Sequence, residues 1–226
     1  HLLERVLCLV PGFYRALRRT IHMGNLSRYG GVEPLVSGLK PGQILTTHLG
    51  HSPDIEAALQ ASDIRVFFLM RDPRDIVVSS VFFAMRRPNH QEHAAYAALD
   101  SMKERIRLCI EGQPSGGIPS ISERIRPFCG WVGSGAMQLR FEDLVGERGG
   151  GSLKAQRSAI EGIADHLAIR PSQAEVASLC SRVHSNLSPT FRKGKLGSWR
   201  EYFDEELTEC FMEHDGDLLD YFGYDR

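Results

Sequence analysis

The sequence lacks the features that mark several protein classes. Its five cysteines are scattered at 8, 109, 129, 180 and 210, with no Cys-x-x-Cys pair. That argues against a disulfide-stapled scaffold and a zinc finger, and predicts free thiols in a reducing compartment. No long hydrophobic run exists. The longest, Val66-Phe67-Phe68-Leu69-Met70, is strand length, far short of the roughly 18 residues of a membrane span. Excess charge of one sign is missing too: 27 basic against 28 acidic residues leave a formal net charge of −1. Bulk attraction to nucleic acid or to a membrane surface is therefore not expected, although a local basic pocket remains open. There are no repeats, no low-complexity tracts and no clear linker. At 226 residues, 42% hydrophobic and 24% charged, the chain predicts an ordinary globular domain.

What is present alternates between short apolar runs and amphipathic stretches. Leu2, Leu3, Val6, Leu7, Val10, Phe13 and Leu17 fall near a 3.6-residue period, which predicts a helix over 2–20, with Pro11 placed to kink it. Residues 24–42 read as a glycine-rich loop with a short helix near 32–39. Strands are expected at 43–47, 64–70 and 136–141. Ser52-Pro53 and Asp72-Pro73 each place a capping side chain before a proline, and predict helices to about 61 and 86. Glu56 is expected to complete a capping box with Ser52, and Glu175 with Ser172. Helices are further predicted over 91–111, from 121 to 132, over 152–167 and 172–183, and from 203 to 221. Strands alternating with helices predict an α/β fold built on a parallel sheet flanked by helices. In such sheets ligands sit at the carboxyl ends of the strands, which directs attention to 46–51, 71–79 and 141–144.

Three segments there carry chemistry. Arg71 ends the strand at 64–70, a helix begins after Asp72-Pro73, and Ser79 lies two turns into it. A strand-end Arg offers a planar fork of donors suited to phosphate, and a helical Ser hydroxyl can donate to the same anion. Equally, Arg71 could pair with Asp72 or Asp75 as a structural ion pair. In the segment Arg192-Lys193-Gly194-Lys195-Leu196-Gly197-Ser198-Trp199-Arg200, four cations lie within nine residues, interleaved with two glycines. Glycine lets backbone N–H groups approach an anion closely, although most such runs are simply solvated loops. The third segment, Thr46-Thr47-His48-Leu49, puts an imidazole at a strand end, where it can serve as a general base or only as a hydrogen-bonded structural group. His51 is the competing histidine.

In order and separation these segments resemble the sulfotransferases that use 3′-phosphoadenylyl sulfate (PAPS), and the resemblance runs from about residue 43 to the end. Arg71 and Ser79 match the strand-end Arg and later Ser that hold the donor's 3′-phosphate in that family. Arg192, Lys193 and Gly194 match its Arg-Lys-Gly loop over the same phosphate, and Gly197 and Trp199 continue its Gly-x-Trp. Leu139-Arg140-Phe141-Glu142-Asp143-Leu144 is similar to its Arg-Tyr-Glu-Asp-Leu, so Phe141 joins the expected donor site with a ring but no hydroxyl. Thr46-Thr47-His48-Leu49 resembles its Lys-Thr-His-Leu, which implies His48 as the catalytic base. The ending Phe222-Gly223-Tyr224 is also family-like.

The resemblance implies a P-loop-NTPase-like fold in a single cytoplasmic domain over 1–226. It further implies PAPS as donor, PAP as product and no metal. The expected partner is an acceptor hydroxyl or amine on a small molecule or a carrier-bound chain, with no nucleic acid, in a free enzyme or in one domain of a larger polypeptide. Departures accompany it. Thr46 stands where the family has Lys, and Ser198 where Asp is common. The family's loop for the 5′-phosphosulfate, Pro-x-Ser-Gly-Ser/Thr, does not occur. His1-Leu2-Leu3-Glu4-Arg5-Val6-Leu7 looks like the continuation of that loop, so the first strand and loop are expected immediately upstream. The adenine-stacking segment is expected near 183–187. Two other readings stay open: a nucleotide kinase or NTPase of the same architecture, and a non-catalytic nucleotide-binding module.

Overall fold

A computed structural model describes residues 2–17, 20–183 and 195–226. Along the chain these form helix α1 (Leu2–Cys8), strands β1 (Tyr14–Arg15) and β2 (Ile21–His22), helices α2 (Met23–Leu26) and α3 (Val32–Ser37), and strands β3 (Gln43–Ile44) and β4 (Thr47–His48). Then come α4 (Pro53–Ala61), β5 (Phe67–Met70), α5 (Pro73–Met85), α6 (His93–Ala97), α7 (Met102–Glu111) and α8 (Ile121–Ile125). The chain continues with β6 (Met137–Arg140), α9 (Phe141–Leu144), α10 (Leu153–His166), α11 (Gln173–Val183) and α12 (Glu205–Phe222). The fold is α/β, and its strands pair in parallel, β1 with β3, β2 with β4 and β5 with β6.

The sequence expectation fails first at 2–20. The helix stops at Cys8, because Pro11 cannot continue it and Gly12 turns the chain at φ +88°. β1 follows within that span and β2 just beyond it, and their partners fall at the two ends of the strand expected at 43–47: Tyr14 aligns with Gln43, and Ile21 with Thr47. The long helix expected over 91–111 is two helices, since Ser101 caps α7 by accepting from Glu104 N while the Glu104 carboxylate accepts from Ser101 N. The helix expected to reach 132 is α8 followed by a 3-10 turn over Arg126–Trp131. The Ser172–Glu175 capping box forms as expected. The Ser52–Glu56 box does not: Ser52 accepts from Ile55 N, so Glu56 is one residue too far along.

The chain divides into two compact units, residues 1–70 with 127–185, and residues 71–126 with 186–226. In the first, β5 and β6 pair from Phe67 with Met137 to Met70 with Arg140. Leu139 of that pair packs with Leu144, Ile160, Ile163, Val176, Leu179 and Val6. A second cluster gathers Ile21, Leu49, Ile55, Trp131 and Ala136 beneath β2 and β4. The second unit is helical. α5, α7, α8 and α12 pack on one another and bury Val77, Val78, Val81, Ile106, Ile110, Ile121, Leu207, Phe211, Leu218 and Leu219. None of the five cysteines is bonded to another, and among the described residues no helix is long and apolar enough to cross a membrane.

Leu139 belongs to the first cluster and is 5% exposed. Leu139→Ala should lower unfolding stability by about 2–5 kcal/mol, the usual cost of such a cavity, seen as a lower urea midpoint at unchanged slope. A loss below about 1 kcal/mol would show that β6 does not anchor this core.

Candidate functional site

In the first unit, the strand-end histidine stands on β4, in parallel register with His22 of β2. Its ring is exposed and makes no hydrogen bond to the described residues. The protein packed around it nevertheless pulls the imidazole pKa below its ordinary 6.5, and the His22 charge adds to that pull. This environment favours the neutral, proton-accepting form of His48.

His51 is built differently. Its Nε2 lies 2.7 Å from Glu56 Oε2, its backbone N–H donates to Pro127 O at 2.7 Å, and its ring meets Trp131 edge-on at 5.0 Å. Its ring also rests on Gly130, where a Cβ would come within 2.3 Å of Nδ1. Trp131 in turn donates from Nε1 to Leu49 O. Hydrogen bonds from His51 and from Gly135 N hold the Glu56 carboxyl below the usual carboxylate range. The competing histidine is therefore a structural clamp on the loop after β4.

Two residues before His48, Thr46 donates from Oγ1 to Glu4 Oε2 at 2.8 Å, and Arg15 pairs with the same carboxylate. Burial pushes the Glu4 pKa up, but the bonds from Arg15 and Thr46 outweigh it and the net shift is downward. The position expected to carry Lys thus carries a neutral hydroxyl tied into an ion pair. Phe141 opens α9 at the carboxyl end of β6, half-buried.

The second unit begins at Arg71, directly after β5. Asp72 caps α5 by accepting from Arg74 N at 2.9 Å, with Pro73 at the first helical position. Arg74 forks back onto Asp72 from Nε and Nη2, at 3.0 and 2.9 Å. It also donates to Asp225 O, and its guanidinium lies 4.0 Å from the centre of the Trp199 ring. Asp75, 1% exposed, accepts from Gly197 N, Ser198 Oγ and Trp199 N, each at 3.0 Å. Arg71 Nη2 lies 3.5 Å from Asp75 Oδ2 and 3.5 Å from Lys195 O. The structural ion pair considered from the sequence is therefore present, with Asp75 as partner. Ser79 is half-buried one turn beyond Asp75.

Arg71 and the turn at 195–199 are thus brought together, as their shared expected role requires. Arg192, Lys193 and Gly194 lie outside the described residues, as does most of 183–187. The sequence suggested Asp75 only as an ion-pair partner of Arg71, not its hold on the turn at 197–199. The signal was its place midway between Arg71 and Ser79 at steps of four residues, which return to one helix face. Among the described residues no cluster of three or more His, Cys, Asp or Glu side chains is arranged to hold a metal.

No protein-family model matches the sequence. The chain is 25% identical over 206 residues to the 3-alpha-hydroxysteroid sulfotransferase of Cavia porcellus, covering 80% of this chain and 64% of that protein. It thus spans somewhat under two thirds of that relative. Its fold is that of mouse sulfotransferase SULT7A1 complexed with PAP, with a TM-score of 0.69 at 16% identity over 97% of this chain and 79% of that one. Retinol dehydratase, in complex with androsterone and the inactive cofactor PAP, follows with a TM-score of 0.54 at 22% identity, over 82% and 56%. In sequence and in fold the chain is thus similar to sulfotransferases.

The lowered pKa of His48 gives a direct check. Folding favours its neutral form, so this contribution to stability is present above the ordinary imidazole value and is lost as pH falls through the lowered one. An NMR titration should find the His48 midpoint below 6.5 in the folded protein and back near the ordinary value in urea. A folded midpoint at or above 6.5 would remove this environment from the account.

Proposed function

We propose that this chain, a relative of the sulfotransferases in sequence and fold, transfers a sulfuryl group from PAPS to an acceptor hydroxyl or amine. The observation that carries the reading is the Arg71 strand end, joined through Asp75 to the turn that follows the Arg-Lys-Gly segment. Asp75 thereby ties the strand-end cation Arg71 to the turn at 197–199, which supports a shared role at a nucleotide 3′-phosphate.

PAPS supplies, when bound, an activated sulfuryl group on an anhydride oxygen, with PAP as the leaving group. Arg71 and Ser79, with Arg192, Lys193 and Gly194, hold the 3′-phosphate, and Phe141 gives the donor an apolar face. His48 takes the proton from the acceptor O–H as the acceptor oxygen bonds to sulfur and the bond from sulfur to the PAP oxygen breaks. A neutral imidazole with a depressed pKa is already in its base form at neutral pH. Thr46 brings no positive charge beside His48, so charge on the departing oxygen must be met by other groups than in relatives with Lys there. Catalysis is positioning plus electrostatic stabilisation, with no step assigned to a metal. The acceptor is a small molecule or a carrier-bound chain. The relative named above is a hydroxysteroid sulfotransferase, which favours an alcohol. The histidine base and the loop that continues into Gly-x-Trp favour this reading over a kinase or NTPase, which also needs a carboxylate and a hydroxyl on Mg²⁺.

Two measurements test the proposal. Calorimetry of PAP binding to the full-length protein should show Arg71→Ala weakening affinity by about 10- to 100-fold, the usual worth of charge-assisted hydrogen bonds. Equal affinity in both proteins would sink the phosphate assignment. The acidic limb of kcat/KM should fall at a pH below the ordinary imidazole value, because the base loses function only when the lowered His48 pKa is crossed. A limb above that value would assign the base to another group.

A further inference from the structure

The donor-site reading gives no role to the buried Asp75 carboxylate. A carboxylate 1% exposed persists only where donors offset its desolvation. Here Oδ1 accepts from Ser198 Oγ and Trp199 N, Oδ2 accepts from Gly197 N, and Arg71 lies 3.5 Å from Oδ2. Asp75 also stands at the third position of α5, where the helix dipole favours an anion. It falls midway between Arg71 and Ser79, the two residues assigned to the phosphate. A carboxylate with open lone pairs at that place would repel a phosphate. With both oxygens engaged, it serves instead as an anchor for the residues on either side.

Ser198 fits this arrangement. The residue is 4% exposed and donates to Asp75. An Asp there, as is common in the resembling family, would set a second carboxylate against the first. This chain has a donor where a second acceptor would be unfavourable.

We infer that Asp75 is a positioning residue for the nucleotide donor. It fixes the Gly197–Trp199 turn against the strand-end Arg71. The inference rests on the reading of Arg71 as a 3′-phosphate ligand.

The test is a cycle of variants in the full-length protein: Arg71→Ala, Asp75→Asn, their double variant, and Ser198→Ala. PAP affinity is read by calorimetry, KM for PAPS and kcat by turnover, and folding by thermal melting. Asp75→Asn keeps the shape but turns one acceptor oxygen into a donor facing N–H groups. It should weaken PAP by about 10- to 100-fold and raise KM for PAPS while leaving KM for the acceptor unchanged. Ser198→Ala removes one bond of three and should weaken PAP by about 3- to 10-fold. In the Arg71→Ala background the further effect of Asp75→Asn should shrink below about threefold, because residues acting through one another are not additive.

An equal loss with and without Arg71, or a lowered melting point with PAP affinity intact, would make Asp75 merely structural and overturn the inference. If Asp75→Asn does not fold, Ser198→Ala decides, and wild-type PAP affinity there overturns it. Wild-type PAP affinity in Arg71→Ala would instead defeat the donor reading itself. A weakened Arg71→Ala beside unaffected Asp75→Asn and Ser198→Ala would defeat only the role of Asp75.

Discussion

The Asp75 carboxylate is the interaction on which the second unit is organised. It collects two backbone N–H groups and a hydroxyl from the turn before α12, and has the strand-end guanidinium beside it. Around it the charges of Arg71-Asp72-Pro73-Arg74-Asp75 sort into pairs. Arg74 goes to Asp72 and stacks on Trp199, while Arg71 goes to Asp75 and to Lys195 O. Pairs of this kind add little net stability against a well-packed apolar alternative, yet removing one member typically costs about 3–5 kcal/mol by stranding the other. They are therefore better understood as fixing geometry than as holding the unit together. That task falls to the apolar faces of α5, α7, α8 and α12.

The two histidines at and just after the end of β4 differ in how they are held. His51 gives up its ring to Glu56, Trp131 and the close approach of Gly130. His48 is left exposed, with a pKa lowered by the protein around it and by His22. Which of two nearby histidines can act as a base is thus decided by what each is already bonded to. Likewise, a formal net charge of −1 does not preclude a polyanionic ligand. Arg71 and Arg74 are local cations, each set beside a carboxylate.

Much of this was legible in the sequence, and the failures have physical causes. Asp72-Pro73 gives the start of α5 because an N-cap carboxylate and a first-turn proline act locally. The strand at 67–70 is legible from its apolar, aromatic run. β1 and β2 were hidden because each is only two residues long and they inherit an apolar periodicity that α1 begins. Only their partners at 43–44 and 47–48 define them. The Thr46–Glu4–Arg15 group and the hold of Asp75 on 197–199 join residues far apart in sequence, so spacing alone could suggest but not establish them. The family resemblance, carried by Arg71, Ser79 and the Gly-x-Trp turn, came from short motifs, and the fold is similar to that of the mouse sulfotransferase.

The central claim is that this chain's histidine at the end of β4 serves sulfuryl transfer. The most direct measurement is transfer of labelled sulfate from PAPS to a panel of alcohols by the full-length protein and by its His48→Ala variant. The account predicts labelled sulfate ester with the wild type and a rate about 10²- to 10⁴-fold lower without His48, the usual contribution of a general base. Turnover that survives His48→Ala undiminished would contradict it.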